Sequence, residues 1–136
     1  MKLSAFLLAP LLGLAACQPM ADAAPGSTIA LNSLVGEYRV AGIDGAEVEL
    51  PHAITLSIGA DDVRYTSQCI NGRWTYAVDG DEATTTRQPV ASCRRALLPQ
   101  EQAIDAVFEA GPTATRTATN GITFAGGGHT VTVFSQ

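Results

Sequence analysis

The chain has 136 residues, of which 46% are hydrophobic and 15% charged, and this length is enough for one domain. Its only lysine is Lys2, so the rest of the chain carries seven arginines against thirteen acids, a formal charge of −6. Nucleic acid is excluded as an expected partner, because phosphate binding needs a basic face. Schiff-base chemistry and P-loop phosphate binding are excluded as well, because both need a lysine in the domain.

The first sixteen residues have the layout of an export signal. Lys2 makes the start positive, Leu3–Leu14 is an apolar run, and Ala15–Ala16 supplies the small residues that a signal peptidase accepts. The apolar run is well short of the roughly 20 residues that a membrane-spanning helix needs. The sequence therefore predicts a cleaved signal segment over residues 1–16 and no permanent transmembrane helix.

The tetrapeptide at 14–17, Leu-Ala-Ala-Cys, resembles the lipobox of bacterial lipoproteins. The resemblance implies that Cys17 becomes the first residue after cleavage and carries acyl chains such as palmitate on its sulfur and amino group. The alternative is an ordinary cleavage site with a chance cysteine beside it. Gln18 stands where inner-membrane lipoproteins have aspartate, which implies an outer-membrane lipoprotein facing the periplasm. Residues 17–33, rich in Ala, Pro, Gly and Ser, are predicted to form a flexible tether.

Apolar and polar residues alternate along most of residues 34–136, and this period of two predicts antiparallel strands. The clearest case is a hairpin in which Ile54–Ile58 and Val63–Ser67 each alternate apolar and polar residues around a turn at Gly59–Asp62. Asn120–Gly121 predicts a second, tight hairpin turn, and Gly126–Gly128 a third. Further strands are predicted within Leu34–Gly45, Gly72–Gly80, Ala83–Arg87, Thr113–Thr119, Ile122–Ala125 and His129–Phe134.

One segment changes to a helical period. Apolar residues from Ala103 to Phe108 fall on one helical stripe, Pro99 suits the first turn, and Gly111 suits the position after the last. A helix is predicted over Pro99–Ala110. The order of strands, helix and strands predicts an α+β fold: a small antiparallel, partly barrel-like β-sheet with one packed α-helix.

Cys69 and Cys93 are predicted to form a disulfide, because an exported domain meets an oxidising compartment. Closing a loop of about 25 residues stabilises a fold by ~3.5 kcal/mol in the chain-entropy model. The rival interpretation is a redox or metal pair, which the lack of a C-x-x-C motif and of clustered histidines disfavours. No metal and no cofactor are predicted.

Four other residues are candidate carriers of function. Trp74 and Tyr76 share a strand face with Val78, so core packing is favoured over a ligand platform. His52 and His129 are interpreted as surface histidines, because a catalytic base needs partners that the sequence does not show. No G-x-S-x-G frame is present, which leaves a hydrolase unsupported.

Arg87, Arg94 and Arg95 flank Cys93 and form the chain's single basic cluster. They are the candidate contact for an anionic ligand or partner. The alternative is a solvated face whose charges are offset by nearby acids.

These landmarks together resemble the META domain family, the HslJ-like heat-shock lipoproteins of bacterial envelopes. The likeness runs from residue 34 to residue 134: Gly36-x-Tyr38 stands for a Gly-x-Trp opening, and Cys69 with Asn71-Gly72 for Gly-Cys-Asn. A Thr-rich stretch then leads to Cys93, followed by the helix and a closing β-meander. The resemblance implies a small α+β domain with roles in envelope stress, drug tolerance or secretion, and no catalytic residues.

The sequence thus predicts a non-enzymatic, lipid-anchored periplasmic domain that supports envelope integrity by binding a protein or a small ligand. The alternative is an inhibitor of lysozyme-like cell-wall hydrolases, since an acidic surface suits a basic target. An enzyme is the third class. It requires one of the two histidines to meet a carboxylate and a hydroxyl in one pocket.

Overall fold

The computed structural model describes residues 24–136, so the predicted signal segment and Cys17 lie outside the described residues. The described chain contains ten strands and one α-helix, α1 (Pro99–Glu109). The strands are β1 (Thr28–Ile29), β2 (Gly36–Ile43), β3 (Ala46–Glu47), β4 (Ile54–Ile58), β5 (Asp62–Ser67), β6 (Ile70–Asp79), β7 (Glu82–Arg87), β8 (Thr113–Arg116), β9 (Ile122–Gly126) and β10 (His129–Ser135).

All ten strands belong to one antiparallel sheet that curls into a half-barrel. The order across it is β1-β8-β9-β10-β2-β4-β5-β6-β7, with β3 paired to β2. Two meanders, β4 to β7 and β8 to β10, therefore meet at β2. Helix α1 packs against β6, β7, β9 and β10 and closes the concave side. The predicted α+β fold with one packed helix is confirmed.

The alternating pattern of the 54–67 hairpin decides which side chains enter the core. In β4, Ile54, Leu56 and Ile58 are buried while the residues between them are partly exposed. Ile58 pairs with Val63 across the turn, and both point into the same core. This is the result that a half-buried sheet with a period of two requires.

The tether predicted for residues 17–33 is wrong over its last residues. Thr28 and Ile29 pair with β8, and the Gly26 amide donates a hydrogen bond of 2.8 Å to the Arg116 carbonyl. Leu31, in a single 3₁₀ turn at Leu31–Ser33, is 2% exposed and belongs to the core. A two-residue strand is too short to show a period, so composition alone suggested a linker there.

The two glycine turns of the closing meander differ. Gly127–Gly128 is a tight turn between β9 and β10 with φ of 58° and 80°, as such hairpins require. The tight turn predicted at Asn120–Gly121 is instead the end of a five-residue loop. The Thr117 amide donates to the Gly121 carbonyl at 3.0 Å, and the Gly121 amide donates to Thr117 Oγ1 at 2.8 Å. The threonine side chain thereby stabilises a longer connection.

Helix α1 begins and ends where its sequence signals predict, to within one residue. Pro99 occupies the first turn, and the Glu101 side chain accepts the Leu98 amide at 2.8 Å, which satisfies a free N–H at the helix start. Gly111 follows the helix with φ of 73°, and a side chain there would collide with the Ala83 carbonyl. None of the helices formed by residues 24–136 has the length and hydropathy needed to cross a bilayer.

The core beneath the helix is organised around a row of aromatic rings. Trp74 lies 6.1 Å from Tyr65 and 5.5 Å from Phe108, and Phe108 lies 5.3 Å from Phe124, between ring centroids. These spacings are typical of stabilising aromatic pairs. Trp74 and Tyr76 are both buried, which confirms the prediction of core packing for them.

Candidate functional site

The cysteine pair links the β5–β6 turn to the loop that precedes α1. Cys69 and Cys93 are joined as a disulfide with their Cα atoms 5.4 Å apart, and the Cys93 amide donates to the Cys69 carbonyl at 3.0 Å. Asn71 adds two contacts to the same loop, from its amide to Ser92 Oγ and from its side chain to the Ala91 carbonyl. The 88–98 loop is therefore held against the edge of the sheet.

Arg95 is paired with an acid of the domain, as the alternative interpretation of the basic cluster predicts. Its two terminal nitrogens bind the Glu101 carboxylate at 2.7 and 2.8 Å, a bidentate pair. Glu101 is fully buried, and Arg95 closes it off from solvent. The pair ties the loop to the first turn of α1.

Arg87 is also neutralised within the domain. Its Nη1 lies 2.8 Å from Glu109 and 3.3 Å from Asp105, both on α1. Its guanidinium lies 5.1 Å from the Trp74 ring centre, a cation–π distance. Asp105 also accepts a hydrogen bond of 3.1 Å from the Tyr65 hydroxyl. Burial raises the pKa of Asp105, outweighing these two partners, and burial beside Asp105 raises the pKa of Tyr65.

The structure thus brings together two of the three predicted arginines. Arg87 and Arg95 line a cavity of about 310 Å³ between the 88–98 loop, β5 and β6, which we call the arginine cleft. Arg94 is exposed and does not line it. Arg94 therefore lies outside the cavity that Arg87 and Arg95 share, and its role as a contact for a ligand or partner stays a prediction.

His52 meets a hydroxyl and a carboxylate, the combination that would favour an enzyme. Its Nε2 lies 2.9 Å from Ser67 Oγ, which donates a hydrogen bond of 2.7 Å to Glu101. The order, however, is histidine, serine, acid. In a hydrolase triad the histidine lies between the other two and takes the serine proton. Ser67 is fully buried and donates its hydroxyl hydrogen bond to Glu101, so it is not positioned as the nucleophile of such a triad.

Glu101 is the centre of that network. Its carboxylate accepts hydrogen bonds from Arg95, from Ser67 and from the Leu98 amide. Burial alone would raise its pKa, but the bonds from Arg95, Ser67 and Leu98 together lower the pKa to about 2. Glu101 is therefore ionised throughout the physiological range. Sequence reasoning treated it only as a polar helix residue, although a glutamate at the third helical position is a known capping signal.

His129 lines a second cavity, which lies beside the β2–β3 hairpin. Its Nδ1 lies 2.8 Å from Asp44, whose other oxygen accepts the Thr130 amide at 2.9 Å. The Thr130 amide and His129 are the main causes that lower the pKa of Asp44. The Asp44-Gly45 dipeptide signalled only a turn in the sequence, so the pairing of Asp44 with a residue 85 positions away was missed.

The cavity beside that pair, which we call the acidic cleft, measures about 260 Å³. Its walls come from three elements that the sheet brings together: the β2–β3 hairpin, the β9–β10 turn and the start of α1. Its lining residues are Ile43, Asp44, Ala46, Glu47, Val48, Pro99, Gln100, Gln102 and His129. Apolar walls with two acids at the rim suit a positively charged group on an apolar stem. Over residues 24–136, no three His, Cys, Asp or Glu side chains are grouped to hold a metal ion.

The fold and these two clefts define a small α+β domain with two surface cavities and an internal polar network. No protein-family model and no curated protein matches the chain. Among solved structures, the chain is similar to an NMR structure of a protein from Burkholderia xenovorans, with 15% sequence identity and a TM-score of 0.53. The match covers 88% of this chain and 97% of that one, which shows a shared fold. The resemblance to the META domain family stays a prediction.

Proposed function

We propose that this chain is a lipid-anchored envelope protein whose domain binds a basic partner protein at the acidic cleft, without catalysing a reaction. The observation that carries the proposal is the composition of that cleft. Asp44 and Glu47 are its acidic groups, and Ile43, Val48 and Pro99 form its apolar wall. An apolar centre with a charged rim is the usual anatomy of a protein interface.

Charge supports the choice of a basic partner. The chain without Lys2 has a formal charge of −6, and four of its seven arginines, at 64, 73, 87 and 95, are paired with acids of the domain. A net negative surface steers positively charged proteins toward it and repels acidic ones. The role in envelope stress that the META resemblance implies is compatible with such a partner.

A catalytic role is disfavoured by the chemistry of both histidine sites. None of the residues that line the acidic cleft carries a hydroxyl or a thiol, so no side-chain nucleophile faces His129 there. At His52, the neighbouring Ser67 is buried and bonded to an acid. Both sites hold their histidine in place and neither presents an activated nucleophile to a substrate.

The anchor would place this domain near the membrane. Among residues 24–136, Gly26 is the first whose amide is bonded to the sheet, and it lies nine residues after Cys17. Nine residues reach at most about 30 Å when fully extended. A tether that ended at residue 33, as the sequence suggested, would reach nearly twice as far. The proposed partner is therefore one that works close to the membrane surface.

Cross-linking in intact cells tests the proposal. A photoreactive residue at Val48, in the wall of the acidic cleft, should form an adduct with an envelope protein whose contacting surface is basic. The matched control carries the same residue at Ala77, which is exposed on β6, three strands from β2. Equal yields of the same adduct from both positions would contradict docking at the cleft.

A second candidate function is inhibition of lysozyme-like cell-wall hydrolases. The acidic cleft also favours it, since a basic hydrolase is one kind of basic partner. Pull-down with lysozyme and a cell-wall lysis assay separate the two. Binding together with inhibition supports the inhibitor, and binding without inhibition supports a partner of another kind. The absence of both excludes lysozyme as the target.

A further inference from the structure

We propose that the arginine cleft is a second binding site, which takes a carboxylate attached to a small apolar body. The cleft is independent of the acidic cleft and shares no lining residue with it. Its charged lining residues are Arg87 and Arg95 alone. Their counter-ions, Glu101, Asp105 and Glu109, do not line it. The charged side chains that a ligand meets in the cleft are thus both guanidinium groups, although their counter-ions lie close behind them and the domain as a whole is acidic.

Arg87 supplies the recognition group. Its Nη1 is the atom that binds Glu109 and Asp105, and no described residue accepts a hydrogen bond from its Nε or Nη2. The Nε–Nη2 edge of a guanidinium presents two parallel N–H groups that match the two oxygens of a carboxylate. Trp74 beneath the guanidinium and the two acids of α1 hold this group in position, so little side-chain entropy is lost on binding.

The rest of the cleft wall is apolar and would contact the apolar body of the ligand. Ile70, Val90 and Leu97 line the cleft beside the two arginines. Val90 is 39% exposed, one of the few large apolar side chains of the described domain that solvent reaches. A cavity of about 310 Å³ is at the small end of ligand sites, which suits a single apolar residue or a molecule of that size. The same carboxylate chemistry occurs in a free small acid and at the C-terminus of a peptide.

The 88–98 loop forms the outer wall of the site. Ser92 and Cys93 line the cleft, and the disulfide with Cys69 and the Asn71 contacts fix this loop to the sheet. The cleft is therefore preformed in the oxidised domain. Arg94 lies on the same loop outside the cleft, and it provides a matched control of equal charge.

Calorimetric titration of the purified full chain with N-acetylleucine tests the site. We expect binding that weakens at least tenfold for the neutral amide of the same compound, and at least tenfold in Arg87→Gln, because a bidentate charge-assisted pair is lost. Arg94→Gln should bind within twofold of the wild type. The proposal is overturned if the amide binds equally well, if both arginine variants weaken binding equally, or if N-acetylleucine does not bind.

A further variant and two further ligands make the test more specific. Val90→Asp alters an exposed position, so the domain should fold normally. The new carboxylate should repel the carboxylate of N-acetylleucine and weaken its binding at least tenfold. Unchanged affinity in this variant would contradict the site, as would inorganic phosphate binding as tightly as N-acetylleucine. A tetrapeptide with C-terminal leucine that binds more tightly than N-acetylleucine supports a chain end as the ligand. Weaker or equal binding supports a free small acid.

Discussion

Replacing Glu101 by Gln should destabilise the domain by about 3 kcal/mol at neutral pH. Glu101 is fully buried and holds Arg95, Ser67 and the Leu98 amide at 2.7 to 2.8 Å. Glutamine keeps one acceptor oxygen and turns a donor toward groups that are donors themselves, so part of this network is lost. Removing one partner of a buried ion pair typically costs 3–5 kcal/mol. Arg95 is 29% exposed and can regain some hydration, which favours the lower end of that range.

The lowered pKa of Glu101 leads to a similar loss of stability and predicts how that loss depends on pH. A fall from 4.5 to about 2 corresponds to roughly 3 kcal/mol of preferential stabilisation of the ionised form. Because the folded pKa lies below the unfolded one, this stabilisation is present above pH 4.5. It is lost as the pH falls from 4.5 toward 2. Glu101→Gln has no such group and should lose less stability over that interval.

Urea unfolding and thermal unfolding, both followed by circular dichroism from pH 7 to pH 2.5, measure both effects. Glu82→Gln is the control, because Glu82 is exposed and none of the described residues bonds to its side chain. At pH 7 the midpoint of thermal unfolding should drop by about 10 °C in Glu101→Gln and stay unchanged in the control. A loss below 1 kcal/mol, or a pH profile parallel to that of the wild type, would refute the central place of Glu101.

Three further outcomes are expected. Cys17→Ser should release the protein from the membrane fraction, and unchanged fractionation would exclude lipidation at this residue. In the native protein, Cys69 and Cys93 should react with a thiol reagent only after reduction, so ready labelling without reductant would contradict the disulfide. Gly111→Ala should destabilise the domain by at least ~1–2 kcal/mol in the same unfolding assay, because φ is 73° and the new methyl group meets the Ala83 carbonyl. A neutral effect would show that the helix end can move.

Local patterns were sufficient to predict most of the fold. The alternation over 54–67 and the helical stripe of 103–108 gave elements whose ends agree with the structure to within one or two residues. Both signals come from burial on a regular period, which a single sequence contains. The pairing of β1 with β8 was missed, because two residues have no period and their partner lies more than 80 positions away.

The candidate sites were less predictable, since they depend on which distant residues the sheet brings together. The contact between Asp44 and His129 requires the β2–β10 pairing, and no local sequence pattern predicts that pairing. The basic cluster was predicted from three arginines close in sequence. The acids that neutralise Arg87 and Arg95 lie on α1, and their contacts could be seen only once the helix was packed on the sheet.

Reversing one charge at the acidic cleft tests the proposed function most directly. In cells carrying the photoreactive residue at Val48, the yield of the partner adduct is measured with Glu47→Lys and, as the matched control, with Glu49→Lys, since Glu49 is exposed but does not line the cleft. A basic partner docked at the cleft predicts a yield at least tenfold lower for Glu47→Lys and little changed for Glu49→Lys. Equal yields in the two variants, or an adduct formed with an acidic protein surface, would contradict it.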